Sequence, residues 1–356
     1  MLVELFRRLR RAPMFRDWPN ACATAVAGAI LAWLGYRFIN WAVVNAVWAL
    51  PGEAGPVACR AIRGQGACWA VIHERFRFIL FGTYPSGDQW RSALACGAFL
   101  SLYAATAARA SWKPWLAGAW IAVTPAALLL LHGGVFGLRK VSTDLWGGLP
   151  LTFVLSTFGF SAGFPLGIIL ALGRRSKLPA VRVLCTAYIE IVRGVPFVTF
   201  LFMAAALFPL LVPEGFTVDK LVRAQVAFII VIAAYLAEVV RAGLDAVPSG
   251  QLEAAASLGL GYWRATLLVL LPQALRIAVP AIVNTFIGFF KDTSLVAIVG
   301  LFDLLGAAQA VIVDPRWTAF GVEVYVFASA VYFTFCFAVS RYSRRLEQTL
   351  ALADRR

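Results

Sequence analysis

Six charged and three uncharged polar residues stand within or beside stretches of this chain that are otherwise almost wholly apolar. Glu190 and Arg193 are three apart, as are Glu238 and Arg241, and Lys291 adjoins Asp292. A spacing of three puts both members of a pair on one helical face. Ionisable groups in membrane-crossing helices are expensive and read as functional by default. The two Glu/Arg pairs fall near one end of their helices. They suit either a single network at an inner gate or two interfacial ion pairs that hold helix ends. Lys291 and Asp292 fall near the opposite end, where packing or gating is expected. Asn284 and Thr285 lie about twelve residues past Pro272, or roughly 18 Å along a helix, which is mid-bilayer depth. Tyr235 has a comparable depth. These three side chains offer both acceptors and donors, as a polar solute crossing the bilayer would need. They would serve equally as interhelical hydrogen bonds.

Other chemistries lack their residues. The chain has two histidines, His73 and His132, and no HExxH, no G-x-S-x-G elbow and no G-x-x-x-x-G-K-[ST] phosphate loop. A membrane-embedded enzyme is therefore not supported, and ATP cannot be held on such a loop. No cysteine spacing suggests a metal site. Cys22, Cys96, Cys185 and Cys336 fall in apolar stretches and read as small core residues. Cys59 and Cys68 share a polar loop, and a disulfide between them is expected if that loop faces an oxidising compartment.

The elements that must position these residues are membrane helices. The chain is 61% hydrophobic and 14% charged, against about 45–50% and 25% in soluble proteins. We read an all-α integral membrane protein with about eight transmembrane helices, near 22–44, 92–108, 115–132, 148–173, 183–212, 224–247, 272–290 and 320–340. Gly194 and Pro196 can break the fifth and expose backbone groups, as in the midplane sites of transporters. The N-terminal arginines (Arg7, Arg8, Arg10, Arg11 and Arg16) mimic a signal peptide, but the apolar run that follows is too long, so an uncleaved first span is expected. A net charge of +14 would suggest nucleic acid in a soluble protein. Here it reads as arginines held at the cytoplasmic face, with both termini cytoplasmic. The loop 51–91 carries five arginines outward and is the exception. Residues 1–145 form an extension of three spans and a periplasmic loop, 146–345 a five-span core, and 346–356 a cytoplasmic tail.

The joint 248–271 is too long to be a plain connection. Residues 251–258 form a strong helix, with Ser249 as candidate N-cap. Gly259 and Gly261 stop it, a short helix 262–270 follows, and Pro272 starts the next span. Glu253-Ala254-Ala255, Gly259 after three intervening residues, and Val269-Leu270-Leu271-Pro272 together resemble the EAA loop of ABC importer permeases, which usually have Ile at the position of Val269. Alone, a Glu-Ala-Ala triplet marks only an interfacial amphipathic helix. Three further segments fall in family order and resemble signatures of polar-amino-acid permeases. The first is Tyr188-Ile189-Glu190-Ile191-Val192-Arg193-Gly194-Val195-Pro196, where Thr is commoner at Val195. The second is Tyr235-Leu236-Ala237-Glu238 with Arg241 and Gly243. The third is Leu271-Pro272-Gln273-Ala274, Asn284-Thr285 and Lys291-Asp292-Thr293-Ser294-Leu295. Gly66-Ala67-Cys68-Trp69 and the segment from Arg77 to Pro85 look like the M-type (Aap/Bzt) subunit of general L-amino-acid permeases.

The resemblance implies a type I ABC importer permease core preceded by three extra helices, in the bacterial inner membrane. It implies a coupling helix at Glu253, Ala254, Ala255, Gly259 and Pro272, seated in a groove of a cytoplasmic ATPase. It also implies a second permease of a different Q-type chain, two ATPase subunits that bind ATP and Mg, a periplasmic amino-acid-binding protein, and an L-amino acid as cargo. Membrane lipid surrounds the chain, and no nucleic acid or cofactor of its own is implied. A secondary active transporter or channel without an ATPase is the alternative. It would show midplane acids for ion coupling and an internal repeat, and neither is evident. The three extra helices are expected to widen the interface between subunits.

Overall fold

A computed structural model describes residues 17–48, 54–61, 63–108, 113–213, 215 and 217–353. The N-terminal arginines, Arg109 and the last three residues lie outside that set. The helices are α1 (Trp18–Ile39, prolonged by a π-turn Asn40–Val44), α2 (Ala54–Ala61), α3 (Ala70–Phe81), α4 (Gln89–Ala107), α5 (Pro114–His132) and α6 (Gly148–Arg174). After them come α7 (Pro179–Gly194), α8 (Phe197–Leu211), α9 (Lys220–Asp245), α10 (Ser249–Ser257), α11 (Leu271–Asp292), α12 (Leu304–Val313) and α13 (Gly321–Ala353). The tail read at 346–356 is thus helical as far as Ala353. Among the described residues, six helical stretches are long and apolar enough to span a membrane: Trp18–Val44, Pro114–His132, Gly148–Arg174, Lys220–Asp245, Tyr262–Val299 and Gly321–Gln348. A seventh exists if α7 and α8 count as one broken span.

Two of the eight expected spans differ. The stretch 92–108 is a helix of 19 residues, α4, but it falls short of the apolar length of the others. Its first turns carry Arg91, fully buried, whose guanidinium donates to the carbonyls of Leu130 (2.6 Å), Leu131 (3.1 Å) and Arg139 (2.9 Å). A cation is favoured where a helix, here α5, ends in unpaired carbonyls. The stretch 183–212 is not one helix either. The chain bends by 96° between α7 and α8, because Val195 is extended and Pro196, lacking an N–H, can only begin the next helix.

Two compact units emerge. One comprises residues 1–75 and 312–324, the other 76–311 and 325–356. In the first, Cys59 and Cys68 form a disulfide with Cα atoms 5.5 Å apart, as the loop composition allows. Trp69 stacks on Trp48 and meets Trp41 edge-on, and its indole N–H donates to the Ala42 carbonyl (2.7 Å). The Cys68 amide donates to the buried Glu323 (2.9 Å), and Arg75 pairs with Asp314 (2.7 Å).

The second unit is built on α6 and α9. Gly159, Gly163 and Gly167 line one face of α6 at intervals of four. A Cβ on Gly163 would sit 2.7 Å from Ile232 Cγ2, and one on Gly167 would sit 2.9 Å from Leu236 Cβ. Small residues let membrane helices approach to backbone contact. Ile232 and Leu236 are fully buried there, beside Phe228 and Leu155. Gly243 does the same between α9 and α11, since its Cβ would lie 2.5 Å from the Ala274 carbonyl oxygen. A second cluster packs α4 and α5 onto α6, α11 and α13 through Phe99, Leu131, Phe153 and Phe290.

Candidate functional site

A pocket of about 180 Å³ opens between α8, α9 and α11. From α11, Thr285, Gly288 and Asp292 line it; intervals of three and four keep them on one face. Val231 and Tyr235, one turn apart on α9, form the opposite wall, and Phe197, the first residue of α8, closes it beside Phe289. The bend at Pro196 is what carries Phe197 there. The Tyr235 and Phe289 rings meet edge-on with centroids 5.6 Å apart. The Thr285 hydroxyl donates to the Ala281 carbonyl (2.8 Å), which leaves its lone pairs as acceptors.

The three residues read as candidates for a polar solute's path are thus divided. Tyr235 and Thr285 share the pocket. Asn284 does not line it and is exposed on another face of α11. Asp292, read as a packing or gate residue, does line it, whereas its neighbour Lys291 is exposed.

Adjacent to this pocket lies an ion cluster. The Arg193 guanidinium stands over the Tyr235 ring at 5.6 Å, within range of a cation–π contact. Arg193 also pairs with Glu238 (3.6 Å). Glu238 accepts from Arg241, one turn along α9, including from Nε at 3.0 Å, and from Arg174 at the end of α6 (3.2 Å). Arg174 in turn donates to Glu190 (2.8 Å), and Asp245 accepts from Arg241 (2.7 Å) and Arg175 (3.1 Å). All four expected residues therefore meet in one network. Arg174, Arg175 and Asp245 belong to it as well. In the sequence Arg174 reads only as part of a basic cluster, because its partners lie 16 and 64 residues away.

The joint after α9 keeps its expected order with two corrections. Ser249 is not the N-cap of α10. Pro248 holds that position with no side-chain cap, and Ser249 is the first helical residue. Pro272 does not open a new helix, because the chain is helical from Tyr262 onward. A π-turn, Thr266–Leu270, precedes α11, and its wider i→i+5 bonding suits the missing N–H and bulky ring of Pro272. Gly259 has φ +76° and no atom within 4 Å of where a Cβ would stand. Its glycine is required by the left-handed backbone and not by crowding. The Gly259 amide donates to Ala256 (2.9 Å) and the Leu260 amide to Ala255 (3.1 Å), which closes α10. Of the triplet, Ala255 is buried while Glu253 and Ala254 are exposed. Leu252, Leu258, Tyr262 and Trp263 present exposed apolar surface around the turn.

One buried acid carried no sequence signal. Asp303, fully buried, forms a short strand β1 with Phe302, which bridges to Gly147 and Gly148. Its carboxylate accepts from the Tyr332 hydroxyl (2.6 Å), the Thr293 hydroxyl (3.1 Å) and the Gly306 amide (2.9 Å). Burial pushes the carboxyl above its usual range, and these donors pull it partway back.

Residues 163–351 match the family described as binding-protein-dependent transport system inner membrane component. The chain is 45% identical to the inner membrane amino-acid ABC transporter permease protein YhdY of Escherichia coli (strain K12), over 95% of this chain and 91% of that protein. It is 36% identical to the glutamate/glutamine/aspartate/asparagine transport system permease protein BztC of Rhodobacter capsulatus, over 96% and 92% of the two chains. A chain from the crystal structure of an amino acid ABC transporter with histidines superposes with a TM-score of 0.51 at 30% identity, covering 57% of this chain and 92% of that one.

Proposed function

The chain belongs to the inner-membrane components of binding-protein-dependent transport systems, as a permease subunit of an ABC transporter, and from that premise we propose that it passes L-amino acids through the pocket at Tyr235, Thr285 and Asp292. It is a transport component and not an enzyme. The observation that carries the proposal is the juxtaposition of this pocket with the Arg193–Glu238 cluster. Asp292 supplies a counter-charge for the cargo's ammonium, Thr285 an acceptor, and the Tyr235 hydroxyl a donor for its carboxylate. Phe197, Val231 and Phe289 leave apolar room for a side chain. The ion cluster ties the ends of α6, α7 and α9 next to the pocket and acts as the inner gate.

The remaining parts follow from the same premise. The basic ends of α6 and α9 face the cytoplasm, and both termini lie there in the bacterial inner membrane. Glu253, Ala254, Ala255 and Gly259 form the coupling lever. The apolar side chains exposed around Gly259 are the seat for one of two ATPase subunits, which bind ATP and Mg. Pro272 anchors the lever to α11, so that ATPase closure is felt at Thr285 and Asp292. A second permease of a different chain packs on α11, where Ile277, Ala281 and Asn284 form an exposed stripe at intervals of four and three. An exposed amide at that depth is better placed against protein than against lipid. A periplasmic amino-acid-binding protein delivers the cargo.

The test is ATP-driven uptake of radiolabelled amino acids by the complete transporter reconstituted in proteoliposomes. Truncating one partner of a buried charge pair removes about 2–5 kcal/mol of binding. Asp292→Asn is therefore expected to raise the half-saturating cargo concentration at least about thirtyfold, with assembly intact. Wild-type uptake kinetics in Asp292→Asn and in Tyr235→Phe would overturn the assignment of the pocket.

A further inference from the structure

A larger cavity in the second unit does not belong to this pathway. It measures about 440 Å³ and lies among α4, α5, α6, α11 and α13, where the N-terminal helices meet the core. That is within the range of roughly 300–1,000 Å³ found for ligand sites. Its walls are Leu100, Phe160, Ile282, Phe286, Phe335 and Val339, with the rings of Tyr103 and Trp120.

The principal polar groups on its walls are turned onto one another. The Tyr103 and Thr157 hydroxyls bond at 2.8 Å. The Trp120 indole donates to the Thr106 hydroxyl (3.0 Å), and the Tyr342 hydroxyl donates to the Thr106 carbonyl (3.2 Å). What faces the space is therefore hydrocarbon and aromatic surface, which suits neither an amino-acid zwitterion nor water. The cavity is not sealed, because Leu100, Ala104, Ala107, Ser161 and Ala338 on its rim are exposed. Its set of apolar walls, running from Leu100 to Tyr342, suits a hydrocarbon chain.

The bonds to Thr106 bring the end of α4, the first turns of α5 and Tyr342 of α13 to one end of the cavity. Exposed cations adjoin these segments in sequence: Lys113 is the N-cap residue of α5, and Arg341 precedes Tyr342 on α13. An apolar slot whose end segments carry cations matches an acyl tail under an anionic phosphate headgroup. We propose that this cavity is a binding site for one anionic phospholipid, with a tail between α4 and the core helices and its phosphate at Lys113 and Arg341. The lipid fills the seam between the N-terminal helices and the permease core. This site is independent of the cargo pathway and goes beyond the transport function.

The test uses the intact transporter in proteoliposomes of phosphatidylethanolamine and phosphatidylglycerol, each in turn carrying a photoactivatable diazirine in its acyl chain. Labelled positions are mapped by mass spectrometry, and transport is not the readout. Label from phosphatidylglycerol is expected to concentrate on Leu100, Ala104, Val283 and Ala338. It should fall about tenfold in Ala104→Trp, which fills the slot. In Lys113→Glu/Arg341→Glu the preference for phosphatidylglycerol over phosphatidylethanolamine should vanish while labelling persists. Should Ala104→Trp not assemble, Ala338→Leu narrows the same slot from α13 and is expected to reduce the label likewise. Label spread evenly over the lipid-facing helices, or unchanged by slot filling, would overturn the proposal. So would label present on the isolated chain and absent from the assembled transporter, which would make the cavity a seat for a partner subunit.

Discussion

At the scale of single residues, the chemistry separates into groups visible from sequence spacing and groups that tertiary placement creates. Intervals of three single out Glu190, Arg193, Glu238 and Arg241, and one network contains all four, with Glu238 on Arg241 as the spacing suggests but Glu190 on Arg174 and Arg193 on Glu238. Arg174 and Asp245 could not be found in that way, because nothing local says which helix ends converge. Tyr235 and Thr285 share a pocket with Asp292 and not with Asn284; depth along a helix is legible in sequence, but which face meets which neighbour is not. Asp303 had no signal because its partners Thr293, Gly306 and Tyr332 come from three separate elements. Asp303→Asn is expected to lower stability by about 1–3 kcal/mol, since an amide cannot accept at both oxygen positions. It also removes a pH dependence. The folded carboxyl lies above its ordinary value, so its contribution is full below the unfolded value and declines as pH rises through the folded one. Thermal melting in detergent across acid to neutral pH should show the wild-type melting temperature falling relative to Asp303→Asn. Parallel profiles would contradict this.

At the scale of elements, backbone rules account for most of what was legible. Pro196 breaks the fifth span as its missing N–H and fixed φ require, and Gly259 turns the joint after α9 in a left-handed conformation. The 96° size of the bend and the π-turn ahead of Pro272 are geometric outcomes that the two prolines alone do not specify. The glycine face of α6 was readable in principle, because Gly159, Gly163 and Gly167 recur every fourth residue, a small-residue spacing that brings membrane helices together. Gly163→Leu would drive a side chain into Ile232, and a loss of about 1–3 kcal/mol is expected from such overpacking, read as a lower melting temperature. In the joint after α9, Gly259→Pro cannot adopt the positive φ. With Glu253→Lys as its companion, it is expected to leave membrane insertion intact and abolish ATP-driven uptake. Undiminished uptake in both would remove the coupling role from α10.

At the scale of the whole molecule, the membrane class, the helical architecture and the permease family could be read from the sequence, because long apolar runs and ordered motifs are properties of the chain alone. The number of spans was less legible. α4, read as a span, buries Arg91 against the end of α5 and is not among the six helical stretches, or seven with the broken one, that are long and apolar enough to cross. The extra N-terminal helices are expected to widen the subunit interface, with lipid in the seam beneath them. Deleting residues 1–140 should therefore prevent recovery of an assembled complex, and assembly of the truncated chain would count against that role. The central claim is that this chain works as the membrane half of an ATP-driven importer. The most direct test is to tag it, solubilise its native membrane in mild detergent and identify what co-purifies. Stoichiometric recovery of an ATPase bearing a phosphate loop, together with a second, different permease, is expected. A chain recovered alone, or only with copies of itself, would contradict the claim.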